Sequence, residues 1–471
     1  MRNLILKQII FFIPFLISIL FSADVGHHGV NGQELPLYSI IPFVGILLSI
    51  AIIPLVANEF WHHHFGKIAA FWAILFIIPF AATMGLSLAI YEFLHVMLLE
   101  YLPFIILLLS LYTVAGGVCL KGSLVGTPIL NTGILFIGTV LASWMGTTGA
   151  AMLLIRPLIR ANQWRKNKVH VVIFFIFLVA NIGGSLTPLG DPPLFLGFLQ
   201  GVSFFWTTKA MFMPLVIASI IIIITFYFLD SYYYNKEKEN KPESDGEKLS
   251  IEGTFNFLLL GGVVASVLLS GFWYPQKYID VYGVHVQYQN IARDILLLLI
   301  AGISWKLTSM SIRKVNGFTW FPIQEVAKLF SGIFITIIPA IAILKAGEDG
   351  SLSAVINAVT NEKGEPINMM YFWLTGILSS FLDNAPTYLV FFNTAGGNAE
   401  ILMTTLSQTL LAISAGAVFL GAMTYIGNAP NFMVKSIAEE NQIEMPSFFG
   451  YMIWSICFLV PVFILISIIY F

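Results

Sequence analysis

The chain has 471 residues, 58% of them hydrophobic and only 10% charged, with a net charge of −2 and a mean hydropathy of +0.87. A soluble globular chain carries roughly 25% charged residues, and a near-neutral chain lacks the basic footprint that nucleic acid requires. A protein whose partner is the lipid bilayer, and not nucleic acid, is predicted. Residues 1–35 open with the basic stretch Met1 to Lys7, then an apolar run from Ile9 to Leu20 and Phe21-Ser-Ala23. This pattern suits a signal peptide and an extra transmembrane segment equally.

The first half, 36–230, is predicted to contain spans at 36–57, 67–90 and 97–118, a hairpin at 124–160, a broken span at 169–208 and a last span at 211–230. Each apolar run reaches the ~20 residues a helix needs to cross ~30 Å of hydrocarbon. Residues 231–253, with the polar run from Lys236 to Lys248, are predicted to be a cytoplasmic linker. The second half, 254–471, has spans at 254–273, 291–308 and 323–345, a hairpin at 367–396, a broken span at 402–435 and a last span at 447–470.

Lys and Arg concentrate in cytoplasmic loops. With Lys121 and Arg156/Arg160 both inside, 124–155 must enter and leave on one side. It is too short to cross twice, so a re-entrant hairpin is expected, with Ser143 to Gly149 at its tip. The second hairpin enters from the outside and has Phe381 to Pro386 at its tip. The fold class predicted is an all-α polytopic membrane protein of two inverted-topology repeats. Each repeat holds a re-entrant hairpin and a broken, unwound helix.

A repeated decapeptide supports the duplication. Thr187-Pro-Leu-Gly-Asp-Pro-Pro-Leu-Phe-Leu196 returns as Thr424-Tyr-Ile-Gly-Asn-Ala-Pro-Asn-Phe-Met433, 237 residues later (424 minus 187). The same offset maps Thr147 onto Asn384 and Ser143 onto Ser380. Gly/Pro breaks at corresponding places in two halves mark the binding site of a secondary transporter. Gly190 and Gly427 permit the turns, and Pro192, Pro193 and Pro430 suit the first turn of the next half-helix.

The side chains available there are Thr187, Asp191, Thr424 and Asn428 at the breaks, and Thr147, Thr148, Asp383, Asn384 and Thr387 at the hairpin tips. Oxygen ligands suit a hard cation such as Na⁺. Asp191 and Asp383 are the two acids expected deepest, and ionisable groups there are functional candidates. Na⁺ is expected at Asp383, Asn384, Asp191 and Asn428, with H⁺ competing for a carboxylate. Asp191 also fits a cap for the half-helix starting at Pro192. Glu92, Glu100 and Asp294 read as solvated span ends, Arg156 as an inner-surface anchor, and His62-His-His64 as interfacial residues pointing in different directions. Asn131, Thr132, Asn181 and Ser185 are candidate cavity residues. Cys119 and Cys457 read as small buried hydrophobes.

Asn181-Ile-Gly-Gly-Ser-Leu-Thr-Pro-Leu-Gly-Asp-Pro-Pro193, Leu382-Asp-Asn-Ala-Pro-Thr387 and Gly427-Asn-Ala-Pro430 resemble the ion transporter superfamily, in its citrate-transporter-like branch, which includes bacterial sodium/proton antiporters. The resemblance runs from about residue 36 onward. It implies the inverted-repeat fold, commonly as a homodimer, and a multi-pass place in a bacterial-type inner membrane. The first tip, Gly146-Thr-Thr-Gly149, departs from the Ser-Asn-Thr motif of dicarboxylate carriers. Na⁺(Li⁺)/H⁺ antiport is therefore expected, with no cofactor beyond the transported Na⁺ and H⁺. The alternative is cation-coupled symport of citrate or a related carboxylate. An intramembrane aspartyl hydrolase would need Gly-x-Gly-Asp, but Pro188 stands at the first position. There is also no phosphate-binding Gly-x-x-x-x-Gly-Lys-Ser/Thr run for a pump.

Overall fold

The computed structural model describes residues 29–237 and 249–471. The signal-like segment 1–23 and most of the charged linker lie outside them. Among the described residues, eight helices are long and apolar enough to cross a membrane. In chain order the first helices are α1 (Ile41–Val56), α2 (Asn58–Met84) and α3 (Leu86–Ala115). The first hairpin is α4 (Pro128–Met145) and α5 (Thr147–Ala161), and the first broken span is α6 (Val169–Leu178) and α7 (Pro192–Leu199). Then come α8 (Phe204–Tyr234), α9 (Phe255–Phe272), α10 (Tyr288–Leu307) and the short α11 (Met310–Val315).

Next, α12 (Phe321–Thr336) and α13 (Ile338–Lys345) are bent by 42° where one span was expected. The short α14 (Ser353–Val359) leads to the second hairpin, α15 (Asn368–Leu382) and α16 (Asn384–Thr394). After α17 (Ala399–Met403) the second broken span is α18 (Ser407–Leu420) and α19 (Ala429–Glu440), and α20 (Phe448–Tyr470) closes the chain.

Two boundaries differ markedly from the sequence reading, and two ribbons are new. The sequence from 68 to 115 is apolar apart from a few polar positions such as Glu92, His95 and Glu100, and periodicity does not show where it turns. Gly85, at φ 94°, ends α2 and starts α3, so Glu92 and Glu100 lie inside a 30-residue helix and not at span ends. Helix α8 continues to Tyr234, into the segment read as linker. Two small antiparallel ribbons were not anticipated: β1 (Cys119–Lys121) with β2 (Ser250–Glu252), and β3 (Tyr278–Val281) with β4 (Val284–Gln287).

Burial separates the spans by role. In seven of the eight, only 28–44% of the apolar window is buried within the protein. The broken span Val169–Leu186 is 89% buried. Non-helical backbone at membrane depth is tolerated only where protein or a cavity surrounds it. The break therefore sits in the middle of the molecule. Its apolar surroundings form two clusters. One gathers α4, α5, α6, α8, α15, α16, α18 and α20, around Phe174, Phe177, Phe419 and Tyr451. The other gathers α1, α2, α3, α9 and α12, around Phe104, Val263 and Phe334. Leu189, Phe195, Ala385 and Leu389, which flank the first break and the second tip, pack with the second cluster. The duplicated segments thus lie at the seam between the clusters.

Candidate functional site

The two copies share their backbone geometry at an offset of 237. Thr187 has φ −137° and ψ 160°, and Thr424 has φ −137° and ψ 168°. Asp191 and Asn428, each preceding a half-helix, are both extended, at φ −142° and −153°. The hairpin turns match too, with Gly146 at φ 79° and Asp383 at φ 74°. Thr187 Oγ1 donates to Ser143 O, and Thr424 Oγ1 donates to Ser380 O. Each break is thereby tied to the hairpin tip of its own half.

Gly190 and Gly427 are fixed by close approach. A Cβ on Gly190 would lie 2.0 Å from Gly184 O, and one on Gly427 would lie 2.5 Å from Gly421 O.

Four of the predicted residues meet at one carboxylate. Thr147 Oγ1 donates to Asp191 Oδ1 at 3.2 Å, and Asn428 Nδ2 donates to the same oxygen at 2.8 Å. Asn384 Nδ2 donates to Asp191 Oδ2 at 2.6 Å. Thr147 and Asn384 are one equivalent pair of the repeat; Asp191 and Asn428 are the other. All four are at least 98% buried. The sequence allowed Asp191 a capping role, but its side chain makes no cap hydrogen bond to α7. It serves the junction instead.

Asp383 is placed differently. Its carboxylate accepts from Ala385 N at 3.1 Å and caps α16. It faces Asp191 as an electrostatic neighbour without sharing a hydrogen bond. Its φ of 74° is one that glycine adopts freely and that costs other residues about 1–3 kcal/mol. Thr387 Oγ1 donates to Asp383 O at 2.7 Å, within its own helix. Thr148 stays beside Thr147 and lines a cavity.

That cavity has a volume of about 90 Å³, room for several waters. Asp191, Thr147 and Thr148 give it a polar corner, and Leu111, Phe195 and Met433 are among its apolar walls. Among the described residues, no Lys, Arg or His lines it.

Two further asparagines complete the junction. Asn431 Nδ2 donates to Gly421 O and Thr424 O, both at 2.9 Å, holding the second break open. Its Oδ1 accepts from Asn181 Nδ2 at 2.7 Å, joining the halves. Asn431 was not singled out in the sequence. Its signal was there, as the polar residue standing where the first decapeptide has Leu194. Asn131 was a candidate cavity residue, but it is buried elsewhere, donating to Asp230 Oδ2 at 2.8 Å.

The comparisons bear on the same segments. A family model described as "Putative citrate transport" matches residues 32–471. The chain belongs to that family. A search of curated proteins found no match. Membership in this transport family covers both hairpins and both breaks, and agrees with the citrate-transporter-like resemblance read from the motifs. With eight apolar spans among the described residues, the family member is a multi-pass membrane protein. Family and fold together point to a secondary transporter and away from an enzyme.

Proposed function

We propose that this protein exchanges Na⁺ or Li⁺ for H⁺ across the membrane, with Asp191 as the ion-binding carboxylate. The reading rests on one observation. Among the described residues, the cavity at the junction is lined by a single carboxylate and by no basic side chain. A carboxylate that can hold either H⁺ or Na⁺, but not both, is sufficient for exchange. Thr147, Asn384 and Asn428 orient it, and their side-chain oxygens are the natural co-ligands for a hard cation.

The matched backbone geometry at the 237 offset supports two repeats, and the Lys/Arg distribution read from the sequence orients them oppositely. Residues near the ends assigned to the cytoplasm, such as Tyr112 and Ile323, line the cavity. Access from the inside is our reading for this conformation.

A second reading is cation-coupled uptake of a carboxylate, favoured by the family description and by the half-helix N-termini at Thr147, Pro192, Asn384 and Ala429, whose partial positive charge suits an anion. Purified protein in liposomes loaded with a pH dye separates the two. An Na⁺ pulse without organic substrate should move protons under antiport. Silence in that assay, combined with citrate-dependent Na⁺ uptake, would establish the second reading instead.

A further inference from the structure

Glu100 has no role in the junction, yet it is buried in the spanning helix α3. It lies in the π-helical turn Met97–Tyr101 and is 9% exposed. Such turns are frequent at functional sites. Its Oε1 accepts from Gln200 Nε2 at 3.3 Å, while its Oε2 has no partner among the described residues. A buried, unpaired carboxylate oxygen is costly, and an ionisable residue in a membrane helix is a functional candidate.

Its position gives the direction. Gln200 is the C-terminal cap of α7, and Asp191 immediately precedes that helix. One eight-residue helix, about 12 Å long, thus has the junction carboxylate at one end and holds Glu100 at the other. The charged groups facing Glu100 are Lys345, at the end of α13, and Glu92, two turns earlier on α3. Glu92 accepts from Val30 N at 3.2 Å, and Lys345 also acts on His95. On the proposed topology, this end of α3 faces outward, opposite the cavity beside Asp191.

We propose that Glu100 is the outer proton station of this transporter. Hydronium in external water gives up a proton, breaking one of its O–H bonds as an O–H bond forms on Oε2 and leaving neutral water; the same O–H bond on Oε2 breaks when the proton passes on toward Asp191, and the carboxylate is regenerated with no other reactant. The inference rests on the proton-coupled reading above, and its test is chosen so that the two can fail separately.

The first arm uses Glu100→Gln and Glu100→Asp in liposomes, with gel filtration to confirm folding. Glu100→Gln keeps the size and the Gln200 contact, and should slow Na⁺-driven proton movement on the order of tenfold or more. Glu100→Asp should recover part of the rate. The second arm is a pH-difference infrared spectrum of the purified protein. It should show a protonated-carboxyl band that shifts in Glu100→Asp and vanishes in Glu100→Gln. Wild-type rates in Glu100→Gln, or a band indifferent to both substitutions, would overturn the station. If wild-type vesicles move no protons, antiport fails on its own, and the infrared band alone decides whether Glu100 takes up a proton.

Discussion

Asp191 and Asn428 stand 237 positions apart in the chain and meet side chain to side chain, Asn428 Nδ2 donating to Asp191 Oδ1 at 2.8 Å. The repeat therefore brings its own equivalent residues into contact. The chemistry between them is asymmetric: one copy carries the acid and the other the amide. Two carboxylates at that distance would repel unless they shared a proton.

This arrangement predicts a swap experiment. Asp191→Asn should abolish Na⁺-driven proton movement while the protein still elutes as a folded species. The double variant Asp191→Asn with Asn428→Asp restores one acid and one amide at the contact, and should regain measurable exchange. Equal, unimpaired rates in wild type and Asp191→Asn would remove Asp191 from the mechanism.

Asp383 gives the opposite expectation from the one its sequence position suggested. Its carboxylate caps α16 and stays out of the hydrogen bonds at Asp191. Asp383→Asn keeps a side-chain oxygen for Ala385 N and should retain exchange within a few-fold. A complete loss, with Asp191 intact and the protein folded, would make Asp383 an ion ligand after all.

Competition fixes the sign of the pH dependence. The deprotonated carboxylate is the Na⁺-binding form, so the apparent Na⁺ affinity should strengthen as pH rises towards the site's pKa. One-for-one competition lowers the dissociation constant about tenfold per pH unit below that pKa, or roughly 1.4 kcal/mol. Sodium titrations of dye-loaded vesicles between about pH 6 and 9 measure the slope. A flat profile over the whole range would exclude a shared site that titrates within it.

The breaks predict a stability contrast. Gly190→Ala places a Cβ 2.0 Å from the backbone oxygen of Gly184, so the backbone must shift to admit it. It should lower stability by about 1–3 kcal/mol or more. Gly133→Ala, on α4 with nothing within 4 Å of its Cβ, should stabilise by up to ~1 kcal/mol. Thermal unfolding in detergent compares the two, and similar melting temperatures would contradict the tight crossing.

Topology is tested by labelling single cysteines in a cysteine-free background. Lys166 and Glu400 are exposed near the bases of the two hairpins. Lys166→Cys should react only from the cytoplasm and Glu400→Cys only from outside. Gly397 is a poorer site, because its φ of 66° and a Cβ 2.8 Å from Asn393 Oδ1 strain any side chain there. Reaction of both cysteines from one face would end the inverted-repeat reading.

The amino-acid sequence by itself determined the membrane class, the two Gly/Pro breaks, the hairpin tips and the pairing of Asp191 with Asn428 as equivalents. Each is a local property: apolar run length, residue types at a turn, or a repeat at constant offset. Only the tertiary structure decided what those residues face. Asp191 and Asp383 look alike in sequence, both acids beside Asn or Pro at a helix start. Packing of the two halves turns one into the centre of the junction and leaves the other capping its own helix. The turn at Gly85 was equally hidden, because apolar residues on both sides give no periodic signal in a membrane. Glu100 read as a solvated end until that turn placed it inside α3. Contacts across 237 residues depend on how the halves close against each other, and no local propensity encodes that.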